Sequence, residues 1–383
     1  MKIRMNALDT LFFKDAKPFS MGEETWAESL FPPSPSVFYG TIRTQYFIQN
    51  PHQLPLLNTP NDPTRNLEIR ALYFNINDSP HFIAPKDIVK VKNGQEEYIM
   101  LEPEKNNGIS SYSLPYRLTP LISEATVEDA TGWVTGRSLK RYIGEGKWPN
   151  EGKIYPYTKF APTEGKIGIG RNRQFNSASE GMLYRVGMKR MAFSTEVKYD
   201  YDQPNNETLI EIDFEGLPSG SLDKEGFSKI GGEGKAVHYT LSEENCILPE
   251  WTPESAFFKI YLLTPSIFEA GWLPSWLQWS DKDNSYRGTW KELPLKLQAA
   301  VIGKPVPIGG FDMYHKQPKP LYKAVPAGSV YYFELEDRSK IPLLSSLHLA
   351  SISEACETWE NVVYDSRKEG FGRILIGKSP IAN

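Results

Sequence analysis

Residues Gly372 to Ser379 spell G-x-x-x-x-G-K-S, the glycine loop, lysine and hydroxyl with which NTPases hold a polyphosphate. That chemistry needs a helix starting directly after the lysine and serine, with its free N–H groups turned towards the phosphates. Only Pro380, Ile381, Ala382 and Asn383 follow, and the spacing predicts no helix there. The interior, Arg373-Ile374-Leu375-Ile376, is bulky and β-branched where such a loop uses small, turn-forming residues. Other reaction chemistry is equally unmarked. There is no H-E-x-x-H, no G-x-S-x-G and no paired-cysteine motif. His52, His81, His238, His315 and His348 have no metal-ligand spacing. The sequence therefore points to no catalytic residue, metal or cofactor. Acids are numerous, so a carbohydrate-active enzyme with two carboxylates is the competing class, and nine Trp and twenty Tyr suit sugar binding. Most of those aromatics fall in apolar strand-like runs, where core packing accounts for them.

The glycines carry more information. "EGKIGIGRNR" (Gly165, Gly168, Gly170), "IGGEGK" (Gly231, Gly232, Gly234), "PIGGFD" (Gly309, Gly310) and "EGFGRILIG" (Gly370, Gly372, Gly377) each border a strand-like run. A dinucleotide fingerprint would lie between a strand and a helix. Glycines beside strands instead let a sugar–phosphate backbone approach and offer N–H donors to phosphate. "EGFGRILI" half-matches the RNA-recognition strand pattern: Gly370, Phe371, Gly372 and Ile374 fit, while Glu369, Arg373 and Ile376 do not. Without the stacking aromatics the standard single-strand platform is rejected. A related sheet using glycine loops and arginines stays open.

Charge is segregated. The net charge of −4 argues against indiscriminate nucleic-acid coating. Arg171, Arg173, Arg185, Lys189 and Arg190 nevertheless face one acid, Glu180, in residues 171–190. Arg137, Lys140, Arg141 and Lys147 face Glu145. Residues 199–225 hold eight acids against Lys224. Arg171, Arg173, Gln174 and Phe175 crowd a polar tip directly after glycines, which combines phosphate donors, an amide and a stackable ring as single-stranded RNA requires.

The elements that must position these residues are mostly strands. The opening residues read as a strand. Ser34 as cap, Pro35 as first residue and Phe38, Ile42 and Tyr46 at helical spacing predict a helix, with Gly40 inside it against some close neighbour and Arg43 on the same face. Residues 50–65 read as a loop. A second helix is expected from Thr135 to Gly144. Gly165–Gly170 reads as a glycine loop before a hairpin tip and a long strand. Trp272, Trp276 and Trp279 read as one face of a short helix. Two β–α–β–β-like halves give an α+β chain, with domains expected at 1–215 and 216–383. No window is long and apolar enough for a membrane span, "MKIRMNALDTLFF" lacks a signal-peptide core, and Cys246 and Cys356 read as buried thiols in a reducing cytoplasm.

Taken in order, "DTLFFKDAKPF...TWAESLFPPSPSVFYGTIRT", "IGIGRNRQFNSASEGMLYRV", "GGEGKAV", "GWLPSWL" and "PIGGFDMYHKQPKPLYKAVPAGSVYYF" resemble the family of third subunits of the Cmr complex. That complex is a type III-B CRISPR effector, and the family lies in the RAMP superfamily. The resemblance spans about residues 8 to 377. It implies two ferredoxin-like, RRM-related domains with antiparallel sheets, glycine-rich loops and inserted hairpins. It implies a non-catalytic subunit holding the repeat-derived 5′ tag of the guide RNA. The partners it implies are the large polymerase/cyclase-like subunit, a backbone subunit and, indirectly, target RNA. The implied RNA contacts are Gly40 and Arg43 on the first helix; Arg171, Arg173, Gln174 and Phe175 at the tip; and Lys316, Lys319 and Lys323 in a later loop. Lys166, Gly168, Gly170 and Arg185 flank the tip, and Gly370, Gly372 and Arg373 belong to the last glycine loop. Lys14, Lys17, Arg137 and Arg141 join by charge and position. A RAMP endoribonuclease processing guide precursors would instead need a general base, for which His238 and His315 lie nearest to glycine loops.

Overall fold

The computed structural model describes residues 1–381 apart from 15–25, 93–96, 108–112, 122–125, 172–176, 193–206, 245–247, 283, 313–315, 355 and 360–361. The first part runs β1 (Lys2–Ala7), β2 (Trp26–Glu28), α1 (Pro35–Gln49), β3 (Glu68–Ile76), β4 (Ser79–Ile83), β5 (Trp133–Thr135), α2 (Gly136–Glu145), β6 (Thr163–Arg171), β7 (Ala178–Lys189), β8 (Thr208–Glu215), β9 (Glu225–Lys229) and β10 (Ala236–Ser242). The second runs β11 (Phe257–Leu262), β12 (Gln278–Ser280), β13 (Ser285–Trp290), β14 (Leu293–Val301), β15 (Val330–Leu335) and β16 (Ile374–Lys378). A small three-stranded sheet and a strand pair lie within 88–129, and shorter strand pairs lie within 306–324 and 356–365.

Seven strands form one antiparallel sheet in the order β5-β4-β3-β8-β1-β10-β9, and six form another, β12-β13-β14-β15-β11-β16. The same permutation recurs in both. The neighbours β3-β8-β1-β10 stand in the chain order second, third, first, fourth, and β14-β15-β11-β16 repeat it. Alternation drives the burial: Ile3 and Met5 of β1 are 1% exposed, while Lys2 and Arg4 point the other way towards Glu211 of β8. The change from one sheet to the other falls between Ser242 and Phe257. A division at 215/216 would strip β9 and β10 from the sheet they complete, so that expected boundary is corrected.

Helix α1 begins at Pro35, whose fixed φ and missing N–H suit a first helical position. Ser34 sits at the cap, but its hydroxyl pairs with Ser36 and caps no backbone N–H. Phe38, Ile42 and Tyr46 are fully buried in the first core with the strands of the first sheet. Gly40 is exposed, with nothing within 4 Å of where a Cβ would stand, so the close neighbour expected there is absent among the described residues. Helix α2 is capped by the Thr135 hydroxyl, which accepts from the Ser138 N–H at 3.2 Å, and ends at left-handed Gly146. Its buried face, Leu139, Tyr142 and Ile143, joins a core shared with the second sheet.

Two other expectations are corrected. Gly165, Gly168 and Gly170 lie in strand β6, not in a loop. The tryptophans form no helix: Gly271, at φ +82, turns the chain and Trp279 enters β12. Trp276 instead stacks at 5.9 Å on Trp290 of β13.

The NTPase-like segment is a turn followed by a strand. Gly372 adopts φ +70 and lies so close to Ser353 that a Cβ would meet its backbone N at 2.3 Å. Gly377, inside β16, lies under α2, where a Cβ would sit 2.9 Å from the Ile143 carbonyl oxygen. Gly377→Ala is therefore expected to destabilise the protein by about 1–3 kcal/mol through overpacking. The urea midpoint would fall at constant m-value; an unchanged midpoint would show that α2 does not seat on this glycine.

Candidate nucleic-acid interface

Strands β6 and β7 form a long antiparallel hairpin whose second strand also pairs in parallel with β2. The register sets Gly165 opposite Gly187 and Ile167 opposite Arg185. With no Cβ on either member of the glycine pair, that face is flat; Gly165 is exposed, while Gly187 is buried. Ile167 is 65% exposed and Arg185 is exposed, without an ion-pair partner among the described residues. On the other face Val186 and Met188 pack with Phe12 and Ala27, which fixes the hairpin to the segment after β1. Backbone bonds tighten this joint: Leu11 and Lys189 exchange N–H···O=C bonds, and the Ser29 N–H donates to Gly187 O.

A third segment converges there. The Gly231–Gly234 turn between β9 and β10 leans on Phe12, the Gly232 N–H donating to its carbonyl at 2.8 Å. This brings Lys235 to Asp9 at 2.7 Å, beside Lys166 at 3.1 Å. The two ammonium groups, Lys235 first, hold the Asp9 carboxyl far below the usual range. Lys14 is exposed and bridges to Ser29 next to the same base. Lys189 donates to Thr163 at 2.7 Å with its ammonium over the Phe31 ring, and burial lowers its pKa. Arg190 pairs with Glu164.

The expected contacts thus separate into distinct places. Lys14, Lys166, Gly168, Gly170, Arg171 and Arg185 come together on the hairpin module, where only the backbone of Arg171 is described. Lys17, Arg173, Gln174 and Phe175 lie outside the described residues. Arg137 and Arg141 are exposed on α2, Arg141 paired with Glu145 one turn on. Arg43 is held inside its own neighbourhood: its guanidinium donates to Asp62, Asn58 and Thr64, clamping the 57–65 loop to α1. Lys316 and Lys323 are exposed in the 306–324 segment, while Lys319 pairs with Glu369. Gly370, Gly372 and Arg373 are corrected: all three are buried, Arg373 at 1% exposure with its guanidinium on Glu68, so they build the core and present nothing to a ligand at the hairpin. Cys246 lies outside the described residues, and of Cys356 only the backbone is described.

Sequence reading missed Asp9 and Lys235; the one available signal was a lysine closing the "GGEGK" turn. Among the described residues, no three His, Cys, Asp or Glu side chains lie together as a metal site, and no described helix is long and apolar enough to cross a membrane. His238 packs tilted against Phe227 at 5.3 Å within the first sheet, and His315 lies outside the described residues. Two carboxylates, Glu68 and Asp365, do share a cleft. A glycosidase needs one of its pair raised to act as an acid. Here burial pushes both up, but Arg373 and Arg70 outweigh it at Glu68, and Arg367 does so at Asp365, leaving both below the usual range.

Fold and site define a strand-dominated α+β protein of the RAMP-like class. The model of the family described as CRISPR-associated protein (Cas_Cmr3) matches residues 3–379, and the chain belongs to that family. It is similar to a chain of the type III-B Cmr-beta complex bound to cognate target RNA and AMPPnP, at 15% identity and TM-score 0.49, covering 87% of this chain and 86% of that one. A second cryo-EM structure of Cmr-beta bound to cognate target RNA matches at 16% identity and TM-score 0.48, covering 90% and 89%. A Csm3–Csm4 subcomplex from a type III-A complex matches at 11% and TM-score 0.34, covering 89% and 96%. No curated protein matches the chain.

Proposed function

We propose that this chain is a non-catalytic RNA-binding subunit of a type III-B CRISPR effector complex, working in the cytoplasm and built from two ferredoxin-like units, one per sheet. In this reading it holds the repeat-derived 5′ tag of the guide RNA and bridges the large polymerase/cyclase-like subunit to a backbone subunit. The observation that carries the reading is the hairpin module within a full-length family match. An exposed Gly165 and Arg185 on one face of the hairpin, and two lysines on one acid at its other face, converge there from three segments. The exposed Gly165 backbone and the exposed Arg185 guanidinium suit a sugar–phosphate chain, and an exposed Ile167 supplies an apolar rest for a base.

The test begins with the complex purified from its host and the RNA that travels with it. Short RNAs sharing one 5′ sequence are expected; a preparation free of RNA and of a large partner would overturn the reading. In binding titrations, Lys166→Gln with Arg185→Gln is expected to weaken RNA binding. The log–log salt dependence should also flatten, by about 0.7 in slope for each phosphate no longer neutralised. An unaltered slope would remove the hairpin from the interface.

A further inference from the structure

A cavity of about 300 Å³ opens where β3 of the first sheet, the β13–β14 turn of the second and residues 365–373 meet. Its walls carry five cationic side chains, Arg70, Lys291, Arg367, Lys368 and Arg373, against Glu68 and Asp365. Both carboxylates are already committed. Glu68 accepts from Arg373 and Arg70, and Asp365 accepts two bonds from Arg367 at 2.8 Å. The walls therefore keep a surplus of positive charge over the acids that line them.

Its effect is felt at Lys291. This ammonium makes no hydrogen bond or salt bridge among the described residues, and burial, Arg70 and Arg373 together hold its pKa below the usual lysine value. Polar atoms in the same wall are also unfilled. Among the described residues, Arg373, 1% exposed, leaves its Nε without an acceptor, and both ring nitrogens of His348 are buried without a partner. A buried polar atom left unpaired keeps its full desolvation cost. An oxyanion would give Lys291 a counter-charge and could accept from the one N–H of the His348 ring. The guanidinium fork fits phosphate geometry, and the volume lies at the lower end of small-molecule sites.

We infer that this cavity binds a phosphoryl group, free or carried by a mononucleotide, held by Lys291, Arg367 and Arg70 with His348 also donating. The site is separate from the hairpin face. Because its walls come from both sheets, a bound phosphate ties the two together.

The full-length protein in chloride buffer is titrated calorimetrically with orthophosphate and with adenosine 5′-monophosphate, and thermal unfolding is followed in each. Saturable one-to-one binding and a Tm that rises with ligand are expected. Lys291→Gln with Arg367→Gln, both at solvent-accessible positions, is expected to weaken binding at least about tenfold while leaving the circular dichroism spectrum unchanged. Tighter binding of the nucleotide identifies it as the source of the phosphoryl group; equal affinities identify free phosphate. No saturable heat and no rise in Tm into the millimolar range would overturn the inference, as would undiminished binding by the folded double variant.

Discussion

Replacing Arg373 with methionine is expected to lower the free energy of unfolding by about 3 kcal/mol, measured by urea denaturation. The guanidinium is buried at 1% exposure and donates to Glu68, to the Leu349 carbonyl at 3.0 Å and to the Arg367 carbonyl at 3.1 Å. Removing one partner of a buried pair costs roughly 3–5 kcal/mol, because the other charge is left unpaired. Glu68 keeps 29% of its side chain exposed and retains Arg70, which places the loss at the lower end. Adding Glu68→Gln to the variant should return part of the loss. A near-neutral single variant, or a double variant no better than the single, would show that the pair does not hold the C-terminal strand to β3.

The second large effect is a dependence on pH. Lys259, on β11, is wholly buried, its ammonium 3.1 Å from the centre of the Tyr142 ring and without a hydrogen-bond acceptor among the described residues. Nearby, Asp87 accepts from the hydroxyls of Tyr142 and Tyr332. Burial lowers the Lys259 pKa to about 7, against the opposing pull of Asp87. Between that pH and the unfolded value of roughly 10.4, the unfolded chain carries a proton that the folded chain lacks. Stability attributable to this lysine therefore rises with pH from about 7 towards 10, by at most about 1.4 kcal/mol per pH unit. As the pH falls through the folded pKa, the slope levels off. The buried tyrosines, whose pKa values are raised, add a dependence of their own only above about pH 10, where the unfolded chain's tyrosines begin to ionise. Lys259→Met is expected to abolish the rise in Tm between pH 7 and 10. If wild type and variant show parallel profiles, Lys259 is charged throughout and the cation–π contact is its sufficient partner.

What could be read from the sequence depended on how local the cause was. Helix α1 was legible because Pro35, Phe38, Ile42 and Tyr46 fix its start and buried face within a dozen residues. Strands β8, β11 and β15 were legible as short runs rich in β-branched and aromatic residues. The tryptophan spacing misled because a helical period also arises when a turn feeds a strand, and Trp276 is placed by Trp290 across a sheet. Gly165–Gly170 read as a loop because glycine lowers strand propensity; pairing with β7 overrides it. The division at 215/216 failed because β9 and β10 return to a sheet begun at residue 2. Of the candidate site, the cationic hairpin was visible as a run, but Asp9 and Lys235 were not, since they meet only through the Gly231–Gly234 turn against Phe12. The phosphoryl cavity draws on separated segments and left no trace in any window.

Helix α2 seats on β16, with Ile143 over Gly377 and Gly146 against Lys378. During synthesis the helix leaves the ribosome long before the strand that covers it. At roughly 5–20 residues per second, tens of seconds pass between the two. Through that interval Leu139, Tyr142 and Ile143 lack their final cover, and the nascent chain is a natural client for a chaperone until its last segment emerges.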